Sequence, residues 1–266
     1  MSTTDSQRAT AARLRLLRMH FESGVGHIGG NLSVLDCLLV LFHGQLRSSD
    51  HLILSKGHAA GALYVSLWSV GKLCDDALKT FHRDDTLLPG HPPATGIPEV
   101  LFATGSLGHG LSLAAGTALA QRFLPQSPVA RAHVYCVTSD GEWQEGSTWE
   151  ALMFVQHHKL MNLTIFIDHN GLQGFGSTRE IASFAPLWDR FTGFDVDVSI
   201  IDGHDAEAIR EAAAKRGQRP HFVFMQTVKG KGVSFMENKM EWHYLPLNAD
   251  TYAQAVAEQT LEPEGT

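Results

Sequence analysis

Two short runs of β-branched and aromatic residues end in the same kind of turn, and this pair constrains the fold more than any other part of the chain. His133-Val134-Tyr135-Cys136-Val137-Thr138 runs into Ser139-Asp140-Gly141-Glu142, and Leu163-Thr164-Ile165-Phe166-Ile167 runs into Asp168-His169-Asn170-Gly171-Leu172. Short apolar runs stopped by Asp, Gly or Asn read as buried strands of a parallel sheet. If the two strands are parallel neighbours, their carboxyl ends deliver Asp140 and Asn170 to one sheet edge, where open α/β sheets bind ligands. A carboxylate, an amide oxygen and free carbonyls are hard donors suited to Mg²⁺ or Ca²⁺. Mg²⁺ fills the rest of its octahedron with phosphate oxygens and water, so the pair points to a metal-bridged diphosphate. Asp-Gly and Asn-Gly are also ordinary turn dipeptides.

The rest of the sequence alternates in the same way. Helical spacing runs over Ser6–Ser23, about Ser33–Phe42, Ala59–Val70 and Asp75–Phe81, with Gly26–Asn31 as a loop carrying His27. A small-residue helix follows Thr104-Gly105-Ser106-Leu107-Gly108-His109-Gly110 and ends near Phe123, and another spans Ser147–His158. The glycine spacing at 105–110 is not the dinucleotide pattern, and no strong strand precedes it. His51–Leu54, Asp195–Ile201 and His221–Val228 have strand character. Asp205 is placed to cap a helix to Lys215, and Asp250–Gln259 is a terminal helix. Leu87–Pro98, with four prolines, is loop. The fold class is α/β, a parallel sheet with helices on both faces, in one domain over 1–266 with a helical tail from about 245.

The 266 residues carry a formal charge of −7 without acidic or basic blocks, which points to neither a nucleic-acid nor a membrane partner. The most apolar segment, Leu32–Phe42, is too short to span a bilayer. Cys37, Cys74 and Cys136 lie in apolar runs and read as buried thiols of a reducing cytoplasm. Of 15 histidines, five follow glycine: His27, His58, His91, His109 and His204. Glycine lets backbone approach a ligand while the histidine presents its ring.

Taken in order, these segments resemble the transketolase family. Asp140-Gly141 followed thirty positions later by Asn170 is similar to the thiamine diphosphate motif. Glu22-Ser23-Gly24-Val25-Gly26-His27, Ser55-Lys56-Gly57-His58-Ala59, Gly90-His91-Pro92, Thr104-Gly105-Ser106-Leu107-Gly108, Glu145-Gly146-Ser147-Thr148-Trp149-Glu150-Ala151 and Lys229-Gly230-Lys231-Gly232-Val233 have counterparts in family order. The likeness runs from about Arg8 to His243 and covers only the diphosphate-binding (PP-type) domain of a full-length transketolase, so the chain resembles the N-terminal half of a split enzyme. The resemblance implies Mg²⁺ held by Asp140, Asn170 and the Leu172 carbonyl, with Ca²⁺ or Mn²⁺ able to substitute. Thiamine diphosphate would lie against His58, Gly105, Leu107, Gly141 and His243. His27, His91 and His243 would handle hydroxyl protons of a sugar or keto substrate, for which a pKa near the working pH is suited. Glu145, which the resemblance also places at the cofactor site, and Glu150 would join an interface network between cofactor sites. The implied partner is a separate C-terminal pyrimidine-domain subunit, in a heterotetramer with two copies of each chain. Departures from the family pattern are Ser139 before the motif Asp, His109 after Gly108, and Tyr244 after His243. The alternatives are a subunit of a 2-oxo acid dehydrogenase component, a deoxyxylulose-phosphate-synthase-like enzyme, or a non-catalytic regulatory paralogue.

Overall fold

The computed structural model describes residues 3–124 and 132–260. Five strands form one sheet: β1 (His51–Leu54), β2 (Val134–Ser139), β3 (Leu163–His169), β4 (Asp197–Asp202) and β5 (His221–Gln226). Their order is β1-β2-β3-β5-β4, and every pairing is parallel. The helices are α1 (Thr3–Ser23), α2 (Ile28–Val40), α3 (Ala60–Ser69), α4 (Asp75–Leu78), α5 (Gly110–Ala120), α6 (Gly146–His157), α7 (Thr178–Ala182), α8 (Ala206–Ala214) and α9 (Ala249–Thr260).

Alternate strand residues point to opposite faces, and here each face has its own core. Tyr135, Val137, Phe166, Val223 and Met225 pack with α1, α2, α3, α8 and α9. Val134, Cys136, Ile165, Ile167, Phe222 and Phe224 pack with α5 and α6. The molecule is therefore a three-layer α/β fold, as the alternating segments predict. The central strands β2 and β3 are buried almost throughout, whereas edge strand β4 leaves Val198 and Ile200 exposed on its open face.

The structure corrects several expected boundaries. Helix α2 begins at Ile28, five residues before the predicted Ser33, and reduces the loop to 24–27. Gly29 and Gly30 oppose a helix by about 1 kcal/mol each, and at Gly29 tight packing favours the glycine. A Cβ on Gly29 would lie 3.1 Å from Lys229 Cγ and 3.2 Å from the Trp242 carbonyl oxygen. Helices α4 and α5 stop about a turn early, at Leu78 and Ala120, and their chains continue in i→i−3 bonds such as Phe81 N to Leu78 O and Phe123 N to Ala120 O. Asp205 does cap α8, accepting from Glu207 N at 2.9 Å. Helix α9 docks on α1 through stacked Phe21 and Tyr252 rings, 4.4 Å apart. Residues 261–266 of the predicted tail lie outside the described residues. Cys37 and Cys136 are buried, but Cys74 is exposed, because it precedes α4 and faces neither core. Among the described residues no helix is long and apolar enough to cross a membrane.

Candidate active site

β2 and β3 pair in register with Ser139 opposite Asp168, so Asp140 and Asn170 leave the sheet side by side at its carboxyl edge. The two turns are tied together, with Asp140 Oδ2 accepting from Gly171 N at 2.6 Å and Oδ1 from Gly141 N at 2.8 Å. Burial pushes the Asp140 carboxyl up to about 6, with neighbouring Asp168 adding to the rise against the opposing influence of His169. The hydrogen bonds to this carboxylate come from main-chain N–H groups, and among the described residues no cationic side chain forms an ion pair with it. The Asn170 amide nitrogen faces Asp168 Oδ2 at 3.4 Å and Ser33 Oγ at 3.5 Å, which turns its oxygen toward the loop, where Leu172 N donates to it at 3.0 Å. No three His, Cys, Asp or Glu side chains converge as a metal centre among the described residues. The donors on offer are one carboxylate, one amide oxygen and the Leu172 carbonyl. That hard, sparse set fits Mg²⁺ with phosphate completing the shell.

Two lysines supply the opposite charge. Lys56 is paired with Asp168, both fully buried, and its ammonium also donates to the Gly30 carbonyl at 2.9 Å. Asp168 further accepts from Ser33 Oγ at 2.6 Å and from the Thr227 hydroxyl. Burial opposes ionisation of Asp168, but the Lys56 charge and these hydrogen bonds prevail and hold it below the usual range. Lys229, 2% exposed, has neutral partners: the Leu172 carbonyl at 3.4 Å and His243 Nδ1 at 3.2 Å. Burial, then the charge of Lys56, brings Lys229 down to about 8. A lysine ammonium only donates, so His243 Nδ1 accepts and Nε2 is the nitrogen that carries its proton.

Four histidine rings face one another across the same cleft. His27 lies 5.1 Å from His243, 5.7 Å from His58 and 6.1 Å from His91, centroid to centroid. Buried Asn31 sets two of them, donating to the His27 carbonyl at 2.8 Å and the His58 carbonyl at 3.1 Å while accepting from Ala62 N at 2.7 Å. His27 itself caps α2 with φ of 66°, a left-handed conformation that costs a non-glycine residue on the order of 1 kcal/mol. Gly105, Leu107, Gly141 and Gly30 complete the wall.

Residues 5–266 match the family model described as transketolase, thiamine diphosphate binding domain. The chain belongs to the transketolase family. It is 39% identical over 256 residues to the 6-deoxy-6-sulfo-D-fructose transketolase subunit SqwG of Clostridium sp. (strain MSTE9), covering 91% of this chain and 90% of that one. It is 36% identical to an apulose-4-phosphate transketolase subunit of Phocaeicola vulgatus, covering 92% and 90%. A solved transketolase from Campylobacter jejuni superposes with a TM-score of 0.88 at 29% identity, over all of this chain and 44% of that one.

Of the residues singled out through the transketolase resemblance, His27, His58, His91, His243, Gly105, Leu107, Asp140, Gly141, Asn170 and Leu172 all line this cleft. Gly141 offers no free N–H, since its own is taken by Asp140. Glu145 is not in the lining; it is exposed at the N-cap of α6, and Glu150 is exposed on the same helix. Sequence reading assigns no role to Lys56, Lys229 or Glu142. Glu142 is buried and binds three segments together, accepting from the Ser55 hydroxyl, from Gly108 N at 3.0 Å and from Ser139 N at 2.9 Å. A carboxylate following Asp-Gly gives no local sign of such a bond, and a lysine within Ser-Lys-Gly-His gives no sign of burial.

The histidines differ from expectation in one respect. Burial lowers His27 to about 4 and His243 to about 3, and pushes His58 and His91 below 6.5, with Lys229 or Lys56 adding to the shift in the first three. His20, His133 and His221 are likewise lowered by burial, to about 4, 3 and 4. Groups with depressed values bind more protons unfolded than folded, so their stability is complete above about 6.5 and is lost as pH falls toward 4. For fully buried His20 alone, a change from 6.5 to about 4 corresponds to roughly 3 kcal/mol. The melting temperature of the unliganded chain is therefore expected to drop steeply between those limits, and a flat profile there would contradict the burial of these rings in neutral form.

Proposed function

We propose that this chain is the diphosphate-binding subunit of a transketolase-like enzyme that moves a two-carbon ketol unit from a ketose, or ketose phosphate, to an aldehyde. The observation that carries this reading is the cleft itself, which is lined by Asp140, Asn170 and Leu172 together with four histidines. Thiamine diphosphate, when bound with Mg²⁺, supplies the carbon nucleophile and electron sink for the reaction. The chain's own residues then have separable tasks. Asp140, Asn170 and Leu172 would hold the metal, while Lys229 and His58 would face the diphosphate, whose negative charge compensates a buried ammonium that has neutral hydrogen-bond partners. His27 and His91 would take a hydroxyl proton as a carbon–carbon bond breaks and return one as the new bond forms, while His243, its Nδ1 engaged by Lys229, would hold a substrate oxygen through Nε2–H. Burial is the main cause of the values near 3 and 4 at His243 and His27, and the Lys229 ammonium adds to both. An anion held by Lys229 would offset the ammonium's part of this shift and bring these rings closer to the range useful for proton transfer.

The chain spans 44% of the solved C. jejuni transketolase and nearly the whole length of the P. vulgatus relative, which is itself named as a subunit. Both facts support a separate partner that carries the pyrimidine-binding domain. The proposal further has two copies of each chain in a cytoplasmic heterotetramer, with Glu145 and Glu150 toward an interface. The chain mixed with Mg²⁺, cofactor and a pyrimidine-domain polypeptide from a neighbouring reading frame is expected to transfer ketol units, whereas the chain alone transfers none. Full turnover without a partner would refute the divided site. In the reconstituted enzyme, His27→Ala is expected to lower turnover by about 10²–10⁴.

A further inference from the structure

Two of the glycine–histidine pairs, at His109 and His204, are not in the cleft lining. His204 sits in the turn between β4 and α8, with both ring nitrogens engaged. Nδ1 is 2.8 Å from Asp36 Oδ2, and Val228 N donates to Nε2 at 2.9 Å. A main-chain N–H can only donate, so Nε2 holds the lone pair, and Nδ1 carries the proton that it gives to Asp36. Asp36, its side chain 1% exposed, is in turn gripped by Arg13 at 2.6 and 2.8 Å. The imidazole is thus fixed as one neutral tautomer between a partly buried ion pair and the backbone.

The backbone it holds is the one that carries Lys229. Past the end of β5, Thr227 reaches Asp168 and Lys229 enters the cleft, so Val228 lies between two residues of the site. Gly203 presses the histidine turn onto this segment. Its N–H donates to the Gln226 carbonyl at 2.9 Å, and a Cβ at Gly203 would lie 2.8 Å from Met225 Cβ and would overlap the Thr227 methyl. No other hydrogen bond to Val228 N is found among the described residues.

We infer that His204 is a positioning residue, which sets the Lys229 ammonium in the cleft through the Val228 N–H and is itself oriented by Asp36 and Arg13. The effect on diphosphate binding rests on the function proposed above; the effect on Lys229 does not. Two substitutions divide the roles of the ring. In His204→Gln the amide oxygen can occupy the place of Nε2 and accept from Val228. In His204→Asn the amide nitrogen can occupy the place of Nδ1 and donate to Asp36, leaving Val228 N–H without an acceptor.

The test is the acylation rate of Lys229 in the full chain, read by mass spectrometry with a small anhydride, with the other lysines as internal controls. His204→Asn is expected to raise Lys229 labelling by about tenfold through local opening, and His204→Gln to stay within about threefold of the unaltered chain. Equal labelling of Lys229 in both variants, or labelling that rises at every lysine, would overturn the inference and leave His204 a general structural residue. In the complex reconstituted with the partner, thiamine diphosphate with Mg²⁺ is the second probe. Its affinity is expected to fall about tenfold in the Asn variant only, as for loss of an outer-shell partner. If labelling separates the variants while cofactor affinity does not, His204 still positions Lys229, and it is the placement of Lys229 on the diphosphate that fails.

Discussion

Replacing Asp140 with alanine is expected to weaken Mg²⁺-dependent binding of thiamine diphosphate by at least about 100-fold, beyond what loss of an outer-shell partner costs. The residue is buried, only 5% exposed, and its carboxylate is the one anionic side chain in the proposed metal-binding set. Its value of about 6 stands above the ordinary 3.8, so the linkage sign is opposite to that of the histidines. Asp140 favours the unliganded fold while protonated, and this contribution is lost as pH rises through about 6. The alanine variant should therefore lack that decline, while its circular dichroism stays that of the parent. Titration calorimetry of the reconstituted complex, with and without chelator, reads the binding loss. An affinity within threefold of the parent would remove Asp140 from the metal site.

The second large effect concerns stability. Lys56 and Asp168 are 1% and 0% exposed, and each is the other's only ionic partner among the described residues. Removing one member strands a buried charge, which costs about 3–5 kcal/mol. Lys56→Met leaves the carboxylate to Ser33 and Thr227, whereas Asp168→Leu leaves the ammonium with the Gly30 carbonyl. Both single variants should unfold at markedly lower urea, and the double variant should lose less than the sum, because no unpaired charge remains. Single losses below about 1 kcal/mol would mean that water reaches the pair.

The parts of this molecule that can be read in the sequence are those fixed by local pattern. The ends of β2 and β3 are legible because an apolar run stopped by Asp or Asn specifies both a strand and its exit, and parallel pairing then brings Asp140 beside Asn170. The histidines are legible only as an ordered set, since nothing at His27 or His91 alone distinguishes a cleft residue from a surface one. The start of α2 is hidden because Gly29-Gly30 opposes a helix locally, and the contact with Lys229 and Trp242 that overrides this is about 200 residues away in sequence. Lys56, Glu142 and Lys229 are hidden for the same reason: their burial depends on partners from distant segments. Cys74 is exposed against expectation because apolar neighbours in sequence do not decide which way a short helix turns.

Helix α2 serves both the cleft and the structure behind it. His27 at its cap faces the other histidines, Ser33 binds Asp168, and Asp36, three residues on, holds His204 and Arg13. Because each residue advances the helix by about 100°, one residue inserted between Ser33 and Asp36 would rotate one group of contacts away from its partners while leaving the other seated. Twelve of the thirteen residues of α2 are buried, so there is no slack to absorb the rotation. Substitutions along α2 can be graded in their effects, but a change in its length cannot: the helix sets the phase between the histidine cleft and the Arg13–Asp36–His204 cluster.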